Sequence, residues 1–196
     1  MSRTIDKEAR KAQLAEAVWQ VILDEGIGAV SVRTVAERAG VVVGSLRHIF
    51  PTRAELVVFS AELMVKRATE RLLAIKPDDD VREYVFTIVK QLLPLDPDSR
   101  AEFEINLALF AEGTAVKGLV DIRQDANRQL ADLFVRLVEM LTGERDTPES
   151  LQQSRRLHAL VDGFAFHILH QPEMEETSWA LDILWAEINS LAAQQA

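Results

Sequence analysis

The sequence predicts an all-α protein in which an N-terminal three-helix domain is followed by a larger helical domain. Apolar residues recur at three- and four-residue spacing along most of the chain, which is the period of an amphipathic helix. Glycine and proline fall between these stretches, where they end helices or turn the chain. With 196 residues and 48% hydrophobic side chains, the chain can bury a substantial core. We expect residues 1–52 to form the first domain and residues 53–196 the second.

The first helix is expected from about Asp6 to Glu25, because Gly26 follows as a helix end. One apolar stripe runs along this segment at helical spacing. The stripe consists of Leu14, Val18, Val21 and Ile22. A helix with one such stripe braces a small domain, so we expect it to support the next segment and not to recognise a ligand itself.

The stretch from Ser31 to residue 56 predicts two short helices joined by a tight turn. Ser31 is a natural N-cap for a helix over residues 32–39, and Gly40 tolerates the left-handed backbone that ends it. A second helix over about residues 43–49 stops where Pro51 disfavours helical backbone in the residue before it. Two helices joined in this way form a helix-turn-helix, and the second is short enough to lie in a DNA major groove.

A long helix is expected next, from about Arg53 to Ile75. Thr52 can cap it, and Glu55 completes the pattern of a capping box. A single rigid helix that joins the two domains could transmit a distant event to the DNA-binding domain. Further helices are expected over about residues 81–92, 103–111, 115–141, 148–170 and 175–193.

The charge is distributed unevenly between the two predicted domains. The chain carries a formal net charge of −9, yet residues 1–56 contain 8 Lys and Arg against 7 Asp and Glu. The basic residues that could face phosphates are Arg3, Lys7, Arg10, Lys11, Arg33, Arg47 and Arg53. A mixed, solvated surface is the alternative reading of these scattered charges. The chain has no cysteine and no long apolar run, so we expect a cytoplasmic protein that does not span a membrane.

A specific resemblance extends these inferences. The segment AERAGVVVGSLRHIFPTRAEL, preceded by AVSVRTV, resembles the DNA-binding domain of the TetR family of transcriptional regulators, with a close match over about residues 14–56. Near the C-terminus, LVDGFAFHIL resembles the betaine-responsive branch of that family. The resemblance implies a homodimeric regulator, most often a repressor, which a small-molecule effector releases from a palindromic DNA operator. The alternative is a helical dimer that binds small molecules but does not bind DNA sequence-specifically.

The resemblance also assigns DNA contacts to individual residues. The residues expected to face the groove or its phosphates are Arg33, Val43, Gly44, Ser45, Arg47 and His48, with Arg53 reaching the backbone. Arg33 and Arg47 are the candidates for reading guanine, and Val43 could touch a thymine methyl group. Val42 stands where the family usually has a capping serine, so we expect the second helix of the motif to lack its N-cap.

The second domain is expected to contain an effector site and the dimer interface. The effector candidates are Phe86, Phe103, Asn106, Phe110, Phe134, Phe164 and His167, each of which could instead be ordinary core. Apolar residues on more than one face of the last two helices indicate a partner surface. Its predicted members are Leu157, Leu160, Val161, Phe164, Ile168, Trp179, Ile183, Leu184 and Ile188.

Catalysis is not expected, and neither is a cofactor. The sequence has no glycine-rich phosphate loop, nucleophile elbow or convincing carboxylate pair. His167 and His170 lie three positions apart, with Glu173 or Glu175 nearby as a third metal ligand. A partly exposed histidine pair is the alternative reading, and we expect no metal there.

Overall fold

The computed structural model describes residues 2–114, 116–172 and 175–195, and all regular structure in these ranges is helical. The all-α prediction is therefore confirmed. The α-helices are α1 Ser2–Glu25, α2 Val32–Arg38, α3 Val43–Ile49, α4 Arg53–Leu73, α5 Val81–Lys90, α6 Pro97–Ala111, α7 Lys117–Thr142, α8 Pro148–His170 and α9 Ser178–Ala192. Short 3-10 turns cover Ile27–Ala29, Glu112–Thr114 and Ala193–Gln195.

The chain folds as two compact units, Met1–Thr69 with Glu104–Gln124 and Glu70–Phe103 with Asp125–Ala196. The first unit extends past residue 52 because α4 and α6 contribute to the same core as the three N-terminal helices. Its fully buried apolar side chains include Leu14, Val18, Val21, Val35, Leu46, Leu56 and Val57, with Ile105 and Leu109 from α6. The stripe predicted on α1 therefore faces this core.

The second unit buries the apolar faces of four helices against one another. Its core is formed by residues of α5, α7, α8 and α9. The members with almost no exposed surface are Val85, Val89, Phe134, Leu137, Val138, Leu141, Leu157, Ile168, Ala180, Leu184 and Ile188. Burial of this many large apolar side chains is the main stabilising contribution to such a unit.

Side-chain caps lie at the starts of α8 and α4, and the cap of α4 is the one predicted from Thr52 and Glu55. Thr147 accepts a hydrogen bond from the N–H of Ser150 at 2.9 Å, and Pro148 follows in the first turn of α8. At α4, Thr52 Oγ1 accepts from the N–H of Glu55 at 3.1 Å. Such caps satisfy backbone donors that have no partner inside the helix.

The helix α6 begins earlier than predicted, at Pro97 instead of residue 103. The cause is a reciprocal cap, in which Asp96 Oδ1 accepts from the N–H of Ser99 at 2.8 Å and Ser99 Oγ accepts from the N–H of Asp96 at 3.0 Å. Proline suits the first helical turn because that N–H would have no helical partner. Within the described part of the chain, no helix is both long enough and apolar enough to cross a membrane.

Candidate DNA-binding surface

A tight turn fixes α3 against α2. Gly40 adopts a positive φ of 64°, and its N–H donates to the carbonyl of Glu37 at 3.1 Å. The N–H of Val41 donates to the carbonyl of Ala36 at 2.9 Å, and the Val41 side chain packs on the core. Glycine adopts this backbone without steric cost, so the turn predicted from Gly40 is present as a helix end of this type.

The start of α2 is fixed by a capping box. Ser31 Oγ accepts from the N–H of Thr34 at 3.1 Å, while Thr34 Oγ1 accepts from the N–H of Ser31 at 2.9 Å. Thr34 also donates its hydroxyl to the carbonyl of Ala29 at 2.8 Å. The 3-10 turn, the cap and α2 are thereby joined, which orients the helix-turn-helix on its support.

The outward side of α2 and α3 carries the residues predicted to meet DNA. Leu46 of α3 is buried in the core, which turns the opposite side of this short helix outward. The exposed members of this outward side, which we call the reading face, are Arg33, Gly44, Ser45, Arg47 and His48.

Two guanidinium groups on the reading face are free to bind. Neither Arg33 nor Arg47 makes a hydrogen bond or an ion pair with any residue that the structure describes. Arg38 differs, because Asp24 and Glu25 both bind its guanidinium. The guanidinium groups without a partner in the described residues of the motif therefore lie on the reading face, where they could bind phosphates or guanine edges.

Arg53 has a different environment from the one expected for a phosphate-binding residue. Its Nε donates to the carbonyl of Val30 at 2.8 Å, and its Nη2 donates to the carbonyl of Ile27 at 3.1 Å. Its Nη1 donates to Glu112 Oε2 at 3.2 Å. The guanidinium thus joins the start of α4 to the 3-10 turn Ile27–Ala29 and the residue after it, and to the 3-10 turn Glu112–Thr114 that follows α6. Sequence reasoning missed Glu112, because no local pattern links two residues 59 positions apart.

The first turn of α3 lacks a side-chain cap, as the sequence predicted. Val42 has extended backbone at the N-cap, and its side chain can accept no hydrogen bond. Val42 is 75% exposed, whereas Val41 and Val43 on either side of it pack against the core. The valine most open to a partner is therefore Val42, and Val43 is half-buried.

In the basic N-terminal segment, the structure describes the side chains of Arg10, which is exposed, and Lys11. The side chains of Arg3 and Lys7 lie outside the described residues. Lys11 pairs with Glu8 at 3.2 Å and stands 5.4 Å from the ring centre of Phe59, so its ammonium is engaged within the protein.

The predicted effector residues are divided between the two units. Asn106 and Phe110 belong to the first unit, whereas the other candidates belong to the second. There, Phe86 packs edge-on against Trp185 at 5.1 Å between ring centres, and His167 is exposed. In the same unit Phe134 stacks on His158 at 4.4 Å and Phe164 meets Trp179 at 5.5 Å. Phe103 is half-buried against the core of that unit.

A groove of about 700 Å³ lies within the second unit and has none of the predicted effector residues in its lining. It runs between the segment before α6 and the start of α9, and its lining includes Leu95, Asp96, Glu175, Glu176 and Leu181. Its lining also includes Arg100, so three carboxylates and one guanidinium face the groove. The location of the effector site stays a prediction.

Most of the predicted dimer residues are buried inside the protomer. Leu157, Val161, Phe164, Ile168, Leu184 and Ile188 are at most 7% exposed and form the core of the second unit. Leu160 and Trp179 are half-buried against that core, and only Ile183 of the set is substantially exposed, at 48%. Side chains without accessible surface cannot meet a partner, so a dimer through α8 and α9 would have to use their outer sides.

Among the described residues, the histidines of α8 belong to no group of three or more side chains that could hold a metal ion. His170 Nδ1 lies 2.8 Å from the carbonyl of Phe166, and the two rings are 4.3 Å apart. Of the two candidates for a third ligand, Glu173 lies outside the described residues and Glu175 is exposed.

Comparison with known proteins agrees with this architecture. Residues 12–58 match the family model described as bacterial regulatory proteins, tetR family, and residues 81–193 match the model described as BetI-type transcriptional repressor, C-terminal. The HTH-type transcriptional regulator PksA of Bacillus subtilis is 33% identical over 174 residues, which cover 88% of this chain and 84% of that protein.

Solved structures show the same fold. A transcriptional regulator from Rhodococcus sp. Rha1 is 26% identical and superposes with a TM-score of 0.81, covering 93% of this chain and 96% of that one. A putative transcriptional regulator from Saccharomonospora viridis in complex with choline is 21% identical, with the same TM-score and coverage. The matched models span both the helix-turn-helix and the C-terminal helices, and the chain belongs to the TetR family of DNA-binding transcriptional regulators.

Proposed function

We propose that the protein is a homodimeric repressor that reads a palindromic operator and leaves it when a small-molecule effector binds. The observation that carries the proposal is the reading face, where Arg33 and Arg47 are exposed and make no ion pair within the described residues. A guanidinium can donate two parallel hydrogen bonds to the acceptors on a guanine edge in the major groove. The remaining polar members, Ser45 and His48, suit contacts to phosphate.

Gly44 supports the placement of α3 against DNA. A Cβ built at Gly44 would have no atom within 4 Å, so nothing in the described protein requires glycine at this position. Glycine also costs an exposed helix about 1 kcal/mol relative to alanine. A close approach of the α3 backbone to DNA accounts for a residue that the protein's own packing does not need.

A second copy is proposed to bind on the outer sides of α8 and α9. Phe166 of α8 is 54% exposed and Ile183 of α9 is 48% exposed. On α8, Ala159 and Gly163 lie at helical spacing with Phe166, and a Cβ at Gly163 would meet no atom within 4 Å. Small residues beside large apolar ones allow helices of two copies to cross closely. We call Ala159, Gly163, Phe166 and Ile183 the dimer face.

A two-fold dimer accounts for a palindromic operator. Two reading faces related by one two-fold axis meet two half-sites related by the same axis in DNA. The half-sites are then separated by one helical turn of DNA or a multiple of it. Such a regulator acts on genomic DNA, in the cytoplasm.

The effector must have a higher affinity for the protein conformation that does not fit the operator than for the conformation that fits it. Without that difference in affinity it cannot change DNA occupancy, and couplings of about 1–3 kcal/mol are usual. Choline is the first compound to test, because a structural relative is described in complex with it.

The test of DNA recognition is a selection of random DNA duplexes at near-physiological salt with the wild type, Arg47→Ala and Arg136→Ala. Arg136 is exposed on α7 in the second unit, so its replacement removes the same charge without altering the reading face. We expect a palindrome enriched by the wild type and by Arg136→Ala but lost in Arg47→Ala. Binding that does not depend on DNA sequence and disappears at modest salt would instead support the alternative, a dimer that binds small molecules but does not bind DNA sequence-specifically.

The effector is sought in a second experiment with the selected duplex. Choline and a panel of small organic cations, acids and neutral compounds are titrated into the complex. Release of DNA by one of them at a concentration that also raises the unfolding temperature identifies an effector, since a ligand stabilises the state that it binds. A compound that binds tightly and leaves DNA affinity unchanged contradicts the proposed switch.

A further inference from the structure

We infer that Val42 determines operator sequence by contacting the methyl group of a thymine in the major groove. The inference rests on the sequence-selective DNA binding proposed above. The feature that leads to it is the run of three valines at positions 41–43, of which only the middle one is mostly exposed.

The surroundings of the three valines differ. Val41 and Val43 are half-buried and pack against the core of the first unit, together with Ile49. Val42 is 75% exposed. The extended backbone at Val42, with φ −71° and ψ 134°, directs its side chain away from that core. In this part of the motif the apolar group available to a partner is therefore the isopropyl group of Val42, and the earlier assignment to Val43 is less favoured.

Valine at this position is unfavourable for the protein by itself. An N-cap serine or threonine would accept a hydrogen bond from the first turn of α3, and its absence costs about 1 kcal/mol. The isopropyl group gains nothing in return, because it is exposed. Residues that break a local rule without a structural gain are expected at functional sites. A single exposed valine on an ordinary surface needs no explanation, but this one stands at the start of the helix that faces DNA.

The chemistry of the major groove offers one apolar partner. The N-terminal end of a recognition helix meets base edges, and the C5 methyl of thymine is the apolar group among the hydrogen-bonding atoms displayed there. Serine at position 42 could cap the helix or bind phosphate, but it would not favour a methyl group. Valine would therefore select thymine over the bases that lack this methyl group, including cytosine.

The experiment removes the methyl groups of the DNA one at a time. In the duplex that the wild type selects, each thymine is replaced by deoxyuridine, which keeps the hydrogen-bonding groups and lacks only the methyl. Affinity is measured for the wild type, Val42→Ala, Val42→Ser and Val43→Ala. We expect one symmetric pair of thymines at which deoxyuridine weakens wild-type binding about fourfold for each methyl lost, as for a buried methyl-sized group.

The variants assign that sensitivity to a residue. Val42→Ala and Val42→Ser should bind the thymine and deoxyuridine duplexes equally at that position, while Val43→Ala keeps the difference. No sensitive thymine, or a sensitivity that Val43→Ala abolishes and Val42→Ala leaves, overturns the inference. Failure to select any duplex is a separate result, because it contradicts the proposed sequence-selective binding before Val42 is tested.

Discussion

Replacing Arg53 by alanine should destabilise the first unit by about 2–4 kcal/mol. The change removes three hydrogen bonds, two to backbone carbonyls and one to the carboxylate of Glu112. A bond with a charged partner contributes about 1.5–3 kcal/mol, so three of them at the low end give about 4.5 kcal/mol. We expect less than this sum, because the Arg53 side chain is 33% exposed and water can replace part of the loss. Arg53→Lys keeps the charge but cannot reach three separated acceptors, so it should recover only part of this loss.

Urea unfolding followed by circular dichroism gives the free energy, and hydrogen exchange of the peptide that contains Ile27–Ala29 locates the change. Arg128→Ala is the matched control, because it removes an arginine from an ion pair with Asp125 in which both side chains are at least 60% exposed. Such a pair contributes about 0–1 kcal/mol. An Arg53→Ala protein with the wild-type midpoint and unchanged exchange would refute the reasoning.

Arg53→Ala and a second variant, Glu112→Gln, together decide whether Arg53 also binds phosphate, as the sequence suggested. Loss of a phosphate contact lowers the salt dependence of DNA binding by about 0.9 for each contact. If Arg53 only orients the motif, Arg53→Ala and Glu112→Gln should both weaken binding with the salt slope unchanged. If it binds phosphate, only Arg53→Ala should reduce the slope, and Glu112→Gln should leave or raise the affinity.

Three further predictions follow from other parts of the structure. Val42→Ser should stabilise the protein by about 1 kcal/mol by capping α3, raising the unfolding temperature by about 2–4 °C, whereas Val42→Ala should give no such gain. Gly163→Leu should leave the protomer folded, since no atom lies within 4 Å of its Cβ position. It should weaken the dimer at least about thirtyfold, as measured by sedimentation equilibrium, because the larger side chain overpacks the interface at two symmetric sites. The control Gln129→Leu on α7 should dimerise normally. The pKa of Asp80 is lowered from 3.8 to about 2, chiefly by its hydrogen bond from Arg82. The stability that this carboxylate contributes should therefore be present above about pH 3.8 and be lost as the pH falls through about 2. In Arg82→Ala, carbon-detected NMR should show that the pKa of Asp80 returns toward 3.8.

The sequence was sufficient for features that depend on near neighbours in the chain. Ser31 caps α2 and Thr52 caps α4 as predicted, because these signals act over three or four residues. The turn at Gly40 follows from the backbone freedom of glycine. The helix-turn-helix was predicted for this reason, since its defining parts are local.

The sequence also indicated the face of α3 that is exposed. Arg47 and His48 were predicted to face DNA and are exposed, whereas Leu46 on the same helix is buried. The resemblance supplied their role, and the tertiary structure confirmed their exposure.

Tertiary structure alone decided which apolar face of a helix is used inside the protomer. The helices α8 and α9 are apolar on more than one side, and periodicity cannot say which side a neighbouring helix will cover. Leu157 and Ile188 face the protomer core, whereas Phe166 and Ile183 face outward. The predicted dimer residues were therefore mostly core residues of the second unit.

Tertiary structure likewise decided the partners of Arg53 and the exposure of Val42. Glu112 is distant from Arg53 in the chain, and only the packing of α6 beside α4 brings its carboxylate to the guanidinium. The valines at positions 41–43 are identical in sequence, and the direction of the backbone between α2 and α3 exposes one of them. Local signals determine where helices begin and end, but long-range packing determines what each side chain meets.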